Sequence, residues 1–168
     1  MIHEPYGKAQ NGKVSAMLLK NARYYDAEFQ LTQGDIVCEG ERIVSLGTAR
    51  AKDPQTYDMS GMLVLPGLID MHIHGSVGVQ VDDAKPESIR KIAKYLAREG
   101  VTSFAPTTIS NTFDNMAAQC KAVAEAHAGM PSGARILGIH LEGPYFSEAR
   151  KGAHKQEYLR DPSYEEVC

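Results

Sequence analysis

Two histidines two positions apart, His72 and His74, close the nearly continuous apolar run LVLPGLIDMHIHG at residues 63–75. If this run is a strand, side chains two apart share a face and stand roughly 6–7 Å apart along it, so both imidazoles can turn onto one ion. Asp70 has the same parity. Neutral imidazole is a good ligand for zinc or divalent iron. A lone histidine on an apolar strand is otherwise a core side chain bonded to a carbonyl. The terminal position of this pair, followed at once by Gly75, favours the ligand reading. A second run, His140-Leu141-Glu142-Gly143-Pro144, again places two polar side chains on one face. Glu142 comes last, at the rim, where a carboxylate can coordinate or bridge a metal while Gly143 and Pro144 turn the chain away. G-x-S-x-G is absent and no Ser-His-Asp set can be assembled, so metal activation of water is the better supported chemistry.

The segment Tyr145 to Lys155 is polar, contains Gly152 and reads as a loop over that rim. Its cations Arg150, Lys151 and Lys155, with His154, could receive an anionic group such as a phosphate. A merely solvated charged face is the plainer alternative. Thr107 and Thr108 end a short apolar segment and could line the pocket or cap the next helix. His127 falls in the last turn of a helix, where an imidazole caps the end more readily than it binds metal.

Elements that could position these groups follow from periodicity. Before residue 60, segments 17–29 and 35–47 read as short strands rich in Val, Ile, Leu and Tyr. Gly40 suits the tight turn of a hairpin in the second. A polar loop follows from Gly47. After the run ending in His74, expected to be a strand buried on both faces, the segment PESIRKIAKYLAREG places Ile89, Ile92, Ala93, Leu96 and Ala97 on one helical stripe, with Pro86 near its start and Gly100 at its stop. Residues 101–108 predict a second strand. A second helix has Asn111 and Asp114 at its cap and a stripe of Phe113, Met116, Ala117, Cys120, Val123 and Ala124. Residues 134–143 predict a third strand. The order β-α-β-α-β predicts an α/β fold with parallel strands, either an open sheet or the first three strands of a (β/α)8 barrel. The first strand-helix junction lacks GxGxxG, and a whole barrel needs about 250 residues.

Composition narrows the partners. Among 168 residues, 18 Lys and Arg face 21 Asp and Glu, a formal charge of -3 that gives no field to gather nucleic acid. With 43% hydrophobic and 23% charged residues the composition is that of a soluble globular protein. No apolar run approaches the roughly 18–20 residues that span a bilayer, so no membrane partner is expected. The amino terminus lacks an apolar export core, which makes the cytoplasm the expected location. Cys38, Cys120 and Cys168 show no CxxC spacing and read as free thiols. The ending Glu165-Glu166-Val167-Cys168 is compatible with a truncated product.

The string LVLPGLIDMHIHG resembles the opening of the amidohydrolase superfamily, and GIHLEGPYFSEARKGAH at 138–154 resembles the N-acetylglucosamine-6-phosphate deacetylase family. The resemblance implies that residues 1–61 are the amino-terminal part of a small β-sandwich domain. Residues 62–168 would be the opening three strands of a TIM-type hydrolase barrel. It further implies metal ligation by His72, His74 and Glu142, with zinc or iron expected and two ions natural for a chain that keeps both histidines. Ala153 and His154 would contact the substrate, a phosphorylated amino sugar, and the full-length protein would be a homodimer. The implied reaction is hydrolysis of N-acetylglucosamine 6-phosphate to glucosamine 6-phosphate and acetate. Later metal ligands and the proton-transferring aspartate lie on later strands of that family and have no counterpart here. The alternatives are another metal-dependent amidohydrolase or a noncatalytic fragment. An isolated three-stranded portion, with its third strand an unpaired edge, would be inactive and prone to associate.

Overall fold

In a computed structural model, which describes residues 16–48, 51–129 and 132–167, the chain divides between Pro66 and Gly67 into two compact units. The first is a four-stranded sheet of β1 (Ala16–Tyr25), β2 (Leu31–Glu39), β3 (Arg42–Gly47) and β4 (Gln55–Asp58), in the order β3-β2-β1-β4. The hairpin expected around Gly40 is present: β2 and β3 pair antiparallel, and Gly40 takes φ 59°, which glycine adopts at no steric cost. Strand β4 carries no apolar alternation in Gln55-Thr56-Tyr57-Asp58, within a stretch whose composition predicts loop; it forms by pairing parallel to Met17–Lys20 of β1. Ala22, Tyr24 and Ile36 are the buried centre of this unit, with Leu19, Cys38, Met59 and Val64 packed against them. The first 15 residues, on which the export reading rests, and Cys168 lie outside the described residues.

The second unit contains the parallel sheet that the β-α-β-α-β order predicts, made of β5 (Leu68–Ile73), β8 (Val101–Pro106) and β9 (Arg135–Ile136), in the order β5-β8-β9. Between β5 and the first helix the chain makes a small antiparallel hairpin, β6 (Gly75–Ser76) with β7 (Val79–Gln80). Helix α1 (Pro86–Arg98) starts on Pro86 and gives way at Gly100, φ 83°, as its sequence requires. Its stripe buries Ile89, Ile92, Ala93 and Leu96; Ala97 is exposed. These pack with Phe104 of β8, Ile136 of β9, and Val123 and Ala126 of α2 (Phe113–Ala128) into one core. A one-turn helix, α3 (Tyr164–Val167), ends the described chain.

Three elements differ from the sequence reading. The cap of α2 is Thr112, whose Oγ1 accepts from the Asn115 N–H at 3.3 Å, and not Asn111. The buried face of α2 is also turned: Met116, Gln119, Ala122, Val123 and Ala126 are inside, while Phe113 is 48% exposed. Cys120, Ala124 and His127 instead line an open groove with Leu137 and Ile139. Gln119 is fully buried, its Nε2 donating to Asp82 Oδ1 in the turn before α1 at 2.9 Å. The end of α2 is held by Arg90 of α1, whose Nη2 donates to the Glu125 carbonyl at 2.9 Å, and not by His127. Strand β5, expected to be buried on both faces, is an edge strand here, with Leu68, Ile69 and Met71 65%, 61% and 72% exposed. The third strand is also shorter than expected: after Arg135–Ile136 it continues only as a bridge of His140 to Thr107.

Candidate metal centre

The carboxyl ends of the three parallel strands carry the polar residues singled out in the sequence. His72 is the last residue but one of β5, and His74 stands just beyond the strand. Their rings meet edge to face, with Nε2 atoms 3.2 Å apart. Glu142 arrives from the segment that follows β9, with Oε2 2.9 Å from His74 Nε2 and 3.5 Å from His72 Nε2. One donor atom from each of the three lies within 4.8 Å of the others. Donors bound to one tetrahedral ion at roughly 2.0–2.2 Å stand about 3.4 Å apart, so the spacing fits a single divalent cation. The donor set of two imidazoles and one carboxylate suits the same ion and leaves coordination positions free. His74 Nδ1 is buried and has no hydrogen-bond partner among the described residues. Asp70 shares the parity of the histidines but acts locally: its Oδ1 accepts from the His72 N–H at 3.0 Å. His140 is exposed, its ring 5.0 Å from that of His72, and stands beside the three ligand atoms without joining them.

What holds this geometry is a pair of hydroxyls for which the sequence leaves pocket lining and helix capping open. Thr107 and Thr108 do neither; both are buried and brace the strand ends on either side. Thr107 Oγ1 accepts from the N–H of Ile73, the residue between the two histidines, at 3.1 Å. Thr108 Oγ1 accepts from the N–H of Glu142 at 3.1 Å. Backbone bonds complete the lacing, from Thr107 N–H to the Ile73 carbonyl and from Thr108 N–H to the His140 carbonyl. Consecutive residues of an extended segment face opposite ways, so one dipeptide reaches both ligand-bearing neighbours. Replacing Thr108 with Val keeps the shape and strands the Glu142 N–H. The expected cost is about 1–3 kcal/mol of stability, with zinc affinity lower by about tenfold or more. Thermal melts and a zinc titration read both quantities, and a Thr108→Val protein that matches wild type in each would show that the hydroxyl braces nothing.

The loop after Glu142 brings a fourth histidine back. His154 is buried, with Nε2 3.6 Å from Glu142 Oε1 and its ring 4.5 Å from that of Phe146. Ala153 beside it is exposed. The neighbouring cations have separate surroundings. Lys151 Nζ donates to the His154 carbonyl at 2.7 Å, Lys155 lies 3.8 Å from Glu157 Oε1, and Arg150 is exposed. Arg160, which no sequence motif marks, anchors the far side of the loop. It donates from Nη1 to the Asn111 carbonyl at 2.9 Å and from Nε to both Glu166 oxygens at 2.8 and 2.9 Å. The Arg160 guanidinium and then the Tyr145 hydroxyl hold the Glu166 carboxyl below the usual range, and the same bond to Glu166 raises the Tyr145 phenol. Arg160 Nη1 also donates to the nearby Tyr158 carbonyl at 3.2 Å, but no motif marks the residue, because Glu166 and Asn111 sit 6 and 49 residues away.

Residues 63–167 match the model of the amidohydrolase family. The chain is 42% identical over 104 residues to the N-acetylglucosamine-6-phosphate deacetylase of Vibrio furnissii, covering 62% of this chain and 26% of that protein. Over 99 residues it is also 42% identical to the N-acetylgalactosamine-6-phosphate deacetylase of Escherichia coli O157:H7, covering 59% of this chain and 26% of that protein. The crystal structure of N-acetylglucosamine-6-phosphate deacetylase from Pasteurella multocida superimposes with a TM-score of 0.80 at 28% identity, over 89% of this chain and 40% of that one. The chain therefore spans about a quarter of the two curated relatives through its matched region.

Proposed function

The chain belongs to the amidohydrolase family, and on that premise we propose that the natural polypeptide carrying it hydrolyses N-acetylglucosamine 6-phosphate to glucosamine 6-phosphate and acetate. The observation that carries the proposal is the meeting of His72, His74 and Glu142 at the strand ends, in a chain similar to sugar-phosphate deacetylases. In this reading the three side chains hold a divalent ion, zinc or iron. A bound ion supplies a Lewis acid and a water nucleophile active at neutral pH. The keeping of both histidines supports room for a second ion. Thr107 and Thr108 keep the ligand backbones in register. His154, buried beside Glu142, presents its Nε2 edge to the substrate side, and the backbone around Ala153 lies next to it. The basic loop of Arg150, Lys151 and Lys155 is the region suited to a phosphate. Residues 1–61 would be part of a small β-sandwich domain and 62–168 the opening of a (β/α)8 barrel. A homodimer in the cytoplasm is the accompanying assembly.

A second reading is favoured by one observation: the 42% identity to an N-acetylgalactosamine-6-phosphate deacetylase equals that to the glucosamine enzyme. The two sugars differ only in the configuration of one hydroxyl, and the triad is indifferent to it. Acetate release from both N-acetylated sugar phosphates, and from unphosphorylated N-acetylglucosamine, distinguishes these readings. The expected result is turnover abolished by chelation, restored by zinc or ferrous ion, with kcat/KM at least about tenfold lower without the phosphate. Metal analysis of the restored protein counts one ion or two. If neither sugar phosphate releases acetate in the presence of metal, the deacetylase assignment fails and a noncatalytic role replaces it.

A further inference from the structure

The loop that ends β8 and begins α2 carries a third buried hydroxyl, Ser110, which is 3% exposed and bonds neither the α2 amides nor a ligand-bearing strand. Its Oγ lies 2.7 Å from His154 Nδ1, and its backbone N–H is directed at the same nitrogen from 3.4 Å. A backbone N–H can only donate, so the nitrogen it faces must offer a lone pair. The serine hydroxyl rotates to suit its partner and can donate to that lone pair as well. A neutral imidazole with a bare Nδ1 carries its proton on Nε2. The opposite edge of the ring agrees with that assignment. His154 Nε2 faces Glu142 Oε1 at 3.6 Å, and an ionised carboxylate only accepts, so a bare Nε2 there would set lone pair against lone pair.

The geometry points to Ser110 as a positioning residue that selects the Nε2–H tautomer of His154 and aims that N–H at the rim beside Glu142. At 3.6 Å the N–H is beyond ordinary hydrogen-bond length from the carboxylate, so Glu142 does not consume it. Ser110 is itself confined: a Cβ built on Gly143 would meet its Oγ at 2.0 Å, so the backbone next to Glu142 packs directly on the hydroxyl. Phe146 covers the ring, with centroids 4.5 Å apart. One serine thus touches both arms of the loop that runs from Glu142 to His154 and fixes which imidazole edge can donate. The use of that N–H toward a substrate rests on the deacetylase reading; the tautomer does not.

Long-range proton–nitrogen spectra of the natural polypeptide labelled with 15N-histidine read the tautomer directly, in metal-free protein, with a His154→Asn sample to assign the signal. In wild type, His154 is expected to show a bare Nδ1 and a protonated Nε2. In Ser110→Ala the single tautomer is expected to become a mixture, and in the zinc-loaded enzyme kcat is expected to fall about three- to tenfold, with KM within about twofold. Ser110→Thr, which keeps the hydroxyl, is expected to restore the wild-type spectrum. A wild-type His154 protonated on Nδ1 alone would overturn the proposal without any variant. So would a Ser110→Ala protein with unchanged spectrum and kcat. A protein that shows the Nε2–H tautomer and never releases acetate would uphold the role of Ser110 while removing the deacetylase reading.

Discussion

Glu142→Gln is expected to lower zinc affinity by more than about 100-fold, since losses in the outer shell of metal sites already reach 10–100-fold and this change removes a ligand charge. The substitution preserves shape, so the Thr108 brace on the Glu142 N–H survives and the fold should be intact. What changes is the Oε2 position, 2.9 Å from His74 Nε2 and 3.5 Å from His72 Nε2, where an anionic oxygen becomes a neutral amide group. The two imidazoles alone then face the ion with their Nε2 atoms 3.2 Å apart. A ligand at 100 times its Kd stabilises the folded state by about 2.7 kcal/mol, so the rise in Tm on adding zinc to wild type should disappear in the variant. Equilibrium dialysis and paired melts with and without zinc test this separately from activity. Equal zinc affinity in Glu142→Gln and wild type would dismantle the triad as a metal centre, whatever becomes of acetate release.

The second large effect is expected at the neighbouring residue. Gly143 has φ 84°, in the left-handed region, and an added Cβ would stand 2.0 Å from Ser110 Oγ, 3.2 Å from Ser110 Cβ and 3.1 Å from Phe146 Cε2. The backbone conformation costs an alanine about 1–2 kcal/mol, and forcing a methyl into packed surroundings costs about 1–3 kcal/mol more. Gly143→Ala should therefore lose about 2–5 kcal/mol. Relief of the clash requires Ser110 or the Glu142–Gly143 backbone to move, so ordering of His154 should suffer with it. Gly152 offers an internal control. It also has positive φ, 59°, but nothing lies within 4 Å of the place an added methyl would take, so Gly152→Ala should lose only the backbone part. Thermal unfolding of the two variants side by side decides the matter, and equal losses would mean that Ser110 does not press on Gly143.

Much of this arrangement is legible in the sequence because it is local. The stripe of Ile89, Ile92, Ala93 and Leu96 marks the buried face of α1, and Pro86 and Gly100 mark its ends, through periodicity and dihedral preference within one element. The spacing of His72 and His74 turns both rings to one side, and the meeting with Glu142 follows from parallel strands that bring their carboxyl ends to the same end of the sheet. The family can likewise be read from contiguous strings. Other features depend on partners far along the chain. Thr107 and Thr108 become braces only when Ile73 and Glu142, each 34 residues away, bring their N–H groups to them. Ser110 meets His154 across 44 residues. The turned face of α2 carries Gln119 inside, where its Nε2 donates to Asp82 Oδ1 from 37 residues away, against the apolar count of its own stripe. Side-chain parity and helical period are properties of a short segment and survive in the sequence. The choice of which hydroxyl or amide satisfies which buried donor is made only by packing, because each such group must find a partner wherever the fold supplies one.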